Sequence, residues 1–259
     1  MLKYSVEYLF KDNNMEKDIF DTWIVNKYVA HRGLHDEQYP ENSLPAFENA
    51  INNSYVIELD VQRLADGTPV VFHDNTLFRM TGKDGYITQI KNEEELKSYN
   101  LSGTEYTIPT LKEVLDMVSG RTELLIEIKD NCISSLFEKN VYDVLKNYEG
   151  EYAVMSFNPY ALRWFKQNAP HVMRGQLSCY FKDIKMSFFR KQALKKMKLN
   201  KHVSCPNFIA YKWDEVPNRF VKKYSKLPLL VWAVKSQSDY MEVAPHCDNI
   251  IFEKFRPRI

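Results

Sequence analysis

From Tyr28 onward the chain alternates short apolar, β-branched runs with longer stretches of helical periodicity, and this alternation limits the fold more than any other feature. The strand-like runs cover residues 28–30, 56–61, 123–128, 152–156, 173–177, 203–209, 229–234 and 249–252. Helical spacing fills the gaps at 43–51, 110–118, 133–147, 159–168, a basic stretch near 184–199, 216–224 and 238–243. Repeated strand-helix units of this kind build a parallel sheet. Eight of them in 259 residues predict a (β/α)8 TIM barrel, whose usual size is roughly 250 residues, over two small domains. An apolar fraction of 44% and a charged fraction of 27% supply the full core such a fold needs.

Two stretches fall outside the repeat. Residues 1–27 carry apolar side chains such as Phe20, Trp23, Ile24 and Val25, enough for an N-terminal segment that caps one end of a single barrel domain over 28–259. Residues 75–108 form an insertion after the second βα region, too long for a plain loop and carrying turn signals in Thr81-Gly82-Lys83-Asp84-Gly85. Long loops in compact domains are usually functional, so this one is expected over the mouth of the barrel.

Two strand-like runs carry charge in alternation: Ile57-Glu58-Leu59-Asp60-Val61 and Leu124-Leu125-Ile126-Glu127-Ile128-Lys129. Side chains alternate faces along a strand, so Glu58 and Asp60 share one face while Ile57, Leu59 and Val61 cover the other, and Glu127 aligns with Lys129. Uncompensated buried carboxylates cost several kcal/mol each, which calls for a positive partner; a divalent cation is the economical one. Barrel chemistry gathers where strands run into their βα loops. His31-Arg32-Gly33 ends the first strand, and His73-Asp74 ends the short run 69–72 after the Asp66-Gly67 turn.

Ala30-His31-Arg32-Gly33, Pro40-Glu41-Asn42-Ser43, Ile57-Glu58-Leu59-Asp60-Val61, Asp66-Gly67-Thr68-Pro69-Val70-Val71-Phe72-His73-Asp74, Ile108-Pro109-Thr110-Leu111 and Ile126-Glu127-Ile128-Lys129 resemble, in order, the motifs of the glycerophosphodiester phosphodiesterases. The match runs to about Phe157 and resumes more weakly at Trp232 and Ile250-Ile251. The resemblance implies a barrel with a divalent metal held by Glu58, Asp60 and Glu127. His31 and His73 would be acid and base, Arg32 and Lys129 would bind phosphate, and Trp232 would pack near the glycerol or its substituent. Oxygen ligands suit Mg²⁺ or Ca²⁺. The substrate implied is a small glycerophosphodiester cleaved to glycerol 3-phosphate and an alcohol, through a cyclic phosphate if a neighbouring hydroxyl attacks. Rival readings are a lysophospholipase D-like enzyme, its acyl groove built from Phe78 and Tyr86 or from Phe188-Phe189, and a non-catalytic phosphate-binding barrel. Lys235, and Glu253 where aspartate is usual, depart from the pattern. His35 is expected in solvent, and Glu41 and Asn42 are expected to hold the first loop by backbone hydrogen bonds.

A net charge of +1 gives no global attraction to nucleic acid, so phosphate recognition has to be local. Cys132, Cys179, Cys205 and Cys247 never form a CxxC pair and are read as reduced and structural. The amino terminus shows no basic segment followed by an apolar core and a cleavage site, and no run approaches the roughly 20 apolar residues of a membrane span, which predicts a cytoplasmic protein. Residues 182–201 stand apart as a basic, amphipathic stretch: either an outer barrel helix with its apolar stripe on the sheet, or a weak peripheral contact with anionic membrane.

Overall fold

A computed structural model of the chain describes residues 18–129, 135–182 and 185–258. Nine strands lie among them: β1 (Val29–Ala30), β2 (Val56–Arg63), β3 (Pro69–Val71), β4 (Leu124–Ile128), β5 (Tyr152–Ser156), β6 (Met173–Ser178), β7 (Phe208–Lys212), β8 (Leu229–Val234) and β9 (Asn249–Phe252). Eight are parallel, in the order β1, β2, β4, β5, β6, β7, β8, β9, and pairing of β1 with both β2 and β9 closes the (β/α)8 barrel. The ninth, β3, turns back at Asp66-Gly67 and pairs antiparallel with the end of β2, Val61 opposite Val71 and Arg63 opposite Pro69.

The helices are α1 (Trp23–Asn26), α2 (Leu44–Asn52), α3 (Phe78–Thr81), α4 (Glu93–Leu96), α5 (Leu111–Val118), α6 (Leu136–Leu145), α7 (Pro159–Asn168), α8 (Phe188–Lys195) and α9 (Gln237–Val243). Local chemistry sets their starts. The Ser43 hydroxyl accepts from the Ala46 amide to open α2, Thr110 and Glu113 form a reciprocal capping box on α5, and Asn158 caps α7 ahead of Pro159. Helical spacing then aims Ala46, Phe47 and Ala50 of α2, and Leu111, Val114, Leu115 and Val118 of α5, at the sheet.

Strand alternation divides the core in two. Ile57, Leu59, Val61, Leu124, Ile126 and Ile128 face outward and pack under the helices. Val56 and Leu125 face the barrel axis with Ala153, Leu177, Phe208, Leu230 and Ile251. Trp23 and Ile24 of α1 join this inner cluster, and Asn249 Nδ2 ties α1 to β9 by donating to the carbonyls of Ile24 and Lys27 at 2.8 and 2.7 Å. The described part of the predicted cap thus plugs the N-terminal end of the barrel; residues 1–17 lie outside the described residues. So do Cys132 and the start of the helix expected at 133–147, while Cys179, Cys205 and Cys247 are free thiols.

Several expectations are corrected. The insertion builds a satellite core from Leu77, Met80, Ile87, Ile90, Leu96, Leu101 and Ile108 beside β2 and β3, and none of its residues lines the central cavity. The run read as a strand at 203–209 splits. Asn200–Ser204 is a π-helical turn, Cys205 takes a φ of +40°, and β7 begins only at Phe208. The helix expected at 216–224 shrinks to a 3-10 turn, Val221–Tyr224: Pro217 lacks an amide donor, and Asn218 Oδ1 turns the chain by accepting from the amides of Phe220 and Val221 at 2.7 and 3.1 Å. The basic helix is α8 alone, and none of its residues is buried.

Candidate active site

Inward alternation on β2 and β4 places Glu58 and Asp60 on the axis side, and the parallel register sets Asp60 beside Glu127 and Glu58 beside Leu125. Ligand oxygens of Glu58, Asp60 and Glu127 lie within 4.8 Å of one another, all three residues buried. The lower axis is apolar and this upper layer is charged, so the charge stands at the C-terminal ends of the strands.

The loop after β1 brings in the first imidazole and a guanidinium. Arg32 has a φ of +57° and Gly33 of +79°, a double left-handed turn that points the Arg32 amide at Glu58 Oε2, 2.9 Å away. Gly33 is obligatory there, because a Cβ would fall 2.8 Å from Phe47 Cδ1 and 2.9 Å from the Ala46 carbonyl carbon. Beside this turn His31 Nδ1 meets Glu253 Oε2 at 2.8 Å, which leaves Nε2 facing the acids, 4.0 Å from Glu58 Oε2. His73 pairs its Nδ1 with Asp74 Oδ1 at 2.6 Å, and Asp74 is held in turn by Arg79 from the insertion. Gln62 Nε2 fixes this second loop, lying within 3.0 Å of the carbonyls of Phe72, His73 and Asp74.

Positive charge is threaded among the acids. Lys129 Nζ lies 3.3 Å from both Asp60 Oδ1 and Glu127 Oε1, and Arg32 Nε lies 3.3 Å from Asp60 Oδ2. The other side of the Arg32 guanidinium donates to Glu41 Oε1 at 2.7 Å, and Arg79 grips the same carboxylate through both terminal nitrogens.

Burial is the largest influence on the three acids and the two imidazoles. It pushes the Glu58 carboxyl well above its ordinary range, with the charges of Asp60 and Glu127 adding to it, and it raises Glu127 as well. At Asp60 burial is outweighed by Lys129, His73 and Arg32, and the group is held low. Both imidazoles are lowered by burial, so His31 and His73 favour their neutral forms. Two cations against three carboxylates leave an excess of negative charge. Glu58 Oε1 is buried without a hydrogen-bond donor, and Asp60 Oδ1 has only the Lys129 ammonium at 3.3 Å. Such an all-oxygen, under-neutralised set fits a hard divalent cation such as Mg²⁺ or Ca²⁺.

These groups open on a cavity of about 500 Å³ lined by His31, Arg32, Glu58, His73, Glu127 and Lys129, with Asp60 just behind them. Its opposite wall is formed by Phe157, Leu177, Trp213 and Trp232, the Phe157 and Trp232 rings meeting edge to face at 5.5 Å. All eight residues singled out in the sequence therefore meet at one place. Three others were not anticipated there. Glu253 accepts from His31, Asn42 Nδ2 donates to Asp60 Oδ2 at 2.9 Å while its Oδ1 accepts from the Asp60 amide at 3.2 Å, and Glu41 bridges two arginines. Glu41 and Asn42 thus hold site side chains directly. His35 is also corrected: it lies 3.6 Å from Glu253, largely out of solvent.

Comparison with known proteins agrees with this geometry. The Glycerophosphoryl diester phosphodiesterase family matches residues 31–252. Over 159 residues the chain is 36% identical to a glycerophosphodiester phosphodiesterase of Caldanaerobacter subterraneus subsp. tengcongensis, covering 58% of this chain and 65% of that protein. A glycerophosphodiester phosphodiesterase of Bacillus altitudinis is 36% identical over 160 residues, covering 57% and 64%. The matched stretch therefore spans just under two thirds of these relatives. Among solved structures, a phosphodiesterase of Oleispira antarctica in complex with the product sn-glycerol-3-phosphate superposes with a TM-score of 0.74 at 23% identity, covering 89% of this chain and 93% of that one, a likeness of fold. A glycerophosphodiester phosphodiesterase of Thermotoga maritima superposes at 0.63 with 26% identity, covering 87% and 93%. With its match running from the first histidine to the last barrel strand, the chain belongs to the glycerophosphoryl diester phosphodiesterase family.

Proposed function

We propose that this protein hydrolyses glycerophosphodiesters to glycerol 3-phosphate and an alcohol by acid-base catalysis from His31 and His73, with a divalent cation held by Glu58, Asp60 and Glu127. One observation carries the reading: two imidazoles, each backed by a carboxylate at Nδ1, flank a buried cluster of three acids on one cavity. When bound, a hard dication supplies charge neutralisation at the phosphate and acidifies an adjacent hydroxyl.

The chain's own groups account for the rest. Arg32 and Lys129 face the phosphate oxygens and offset their charge from fixed positions. Neutral His31, its Nδ1 directed to Glu253, presents Nε2 as the base that takes the proton of the glycerol hydroxyl neighbouring the ester. That oxygen bonds to phosphorus, the bond from phosphorus to the leaving alkoxide breaks, and His73, entering the step as the imidazolium that Asp60 and Asp74 favour against the pull of burial, gives the alkoxide its proton. The His73 side chain is 32% exposed against 15% for His31, which suits the ring that reloads from solvent. Water then opens the cyclic phosphate with the two roles reversed.

The cavity favours a small alcohol. Phe78, Tyr86, Phe188 and Phe189, the residues considered for an acyl groove, lie outside its lining. Release of glycerol 3-phosphate from glycerophosphocholine, glycerophosphoethanolamine and glycerophosphoglycerol, with chelator and then with Mg²⁺ or Ca²⁺ restored, tests the reading. Turnover is expected only with metal. His31→Ala and His73→Ala are each expected to lose about 10²- to 10⁴-fold, with circular dichroism unchanged. A diester lacking a neighbouring hydroxyl should be much poorer; equal turnover of it eliminates the cyclic route. Near-normal rates in either histidine variant would remove that ring from the mechanism.

A further inference from the structure

The segment after β6 departs from the barrel plan. A helix joining β6 to β7 should run down the outside of the sheet with one face buried. Instead Asn200–Ser204 packs against α7 and β6 in that outer layer. α8 is displaced to the rim. Its last turn is fixed at the C-terminal ends of the strands: the Leu194 carbonyl accepts from Ser178 Oγ at 3.0 Å, and Lys195 Nζ stands 4.0 Å over the Tyr180 ring. The first turn, five to six residues earlier, extends about 8 Å away from that anchor.

That free turn carries Phe188 and Phe189, 68% and 84% exposed and stacked edge to face at 5.9 Å. Arg190 is exposed next to them, and between residues 185 and 201 the sequence has seven Lys and Arg and no Asp or Glu. Helices α2, α5, α6 and α7 each bury three or more residues, whereas α8 buries none. Water is a poor partner for two adjacent phenyl rings, and a wholly cationic surround resists packing against another basic surface. A surface that is apolar within and anionic at its head groups satisfies both demands. In the insertion Phe78 is likewise 63% exposed, beside Arg79, which reaches Glu41 and Asp74.

We propose that α8 is a membrane-docking element that inserts Phe188 and Phe189 into anionic lipid and holds the barrel mouth toward the bilayer surface. The contact is independent of the catalytic reading, since none of these residues touches the acid-base or carboxylate groups.

Co-sedimentation of the full chain with vesicles of pure phosphatidylcholine and of phosphatidylcholine with 30% phosphatidylglycerol, at low and at physiological salt, tests it. Binding is expected on the anionic vesicles, weakening as salt rises and absent on the neutral ones. Phe188→Ser with Phe189→Ser, and separately Arg190→Glu with Lys191→Glu, should each weaken it by about tenfold or more while turnover of soluble glycerophosphocholine stays unchanged. No sedimentation with anionic vesicles at low salt, equal binding by the variants, or retention on an RNA oligonucleotide without vesicle binding would overturn the proposal.

Discussion

Asn42 sits in a left-handed conformation, φ +56°, with its carboxamide spent on a single neighbour, the side chain and amide of Asp60. A buried carboxylate that loses a donor keeps its charge and loses its orientation. Asn42→Ala is therefore expected to cost about 1–3 kcal/mol in urea unfolding and to weaken divalent-metal affinity by roughly 10- to 100-fold, read by calorimetric titration. Unchanged metal affinity would show that Asp60 is oriented by Arg32 and Lys129 alone. Glu58, Asp60 and Glu127 were legible in the sequence because a period of two inside apolar runs is a local signal. Asn42 and Glu253 reach the same site from 18 and 222 residues away from their partners, and only strand register brings them there. No spacing rule in a single sequence carries that information.

At the scale of elements, the barrel strands were readable wherever an apolar run was framed by clear helix caps, as with α5 between its capping box and the strand that follows. Between β6 and β8 the sequence pattern and the structure part. There a β-branched residue, Val203, belongs to a π-helical turn, and a basic amphipathic segment lies on the rim in place of the outer layer. Periodicity measures how a segment could bury a face; it does not say which layer receives it. The plug α1 is a simpler case, because Ile24 is fully buried in the inner cluster to which all eight parallel strands contribute a side chain. Ile24→Ala is expected to destabilise by about 2–5 kcal/mol in urea unfolding, with turnover per folded molecule unaltered, since the plug and the charged layer occupy opposite ends. A loss of turnover without a loss of stability would contradict that separation.

Over the whole molecule, an electrostatic tie joins the insertion to the first βα loop. Arg79 and Arg32 together hold the Glu41 carboxyl at about 2 despite the opposing pull of burial, against an ordinary 4.5. A folded value below the unfolded one adds stability that is complete above pH 4.5 and disappears as pH falls toward 2, on the order of 3 kcal/mol from this pair of values. Urea unfolding at pH 7 and pH 3 should show part of this loss, about 2 kcal/mol, in the parent chain and a clearly smaller one in Arg79→Ala. An identical pH dependence in the two proteins would assign acid sensitivity to other groups.

The sealed floor also dictates traffic. With Trp23 and Ile24 seated among the inner apolar side chains below the acids, whatever reaches the charged layer arrives through the same doorway by which it departs.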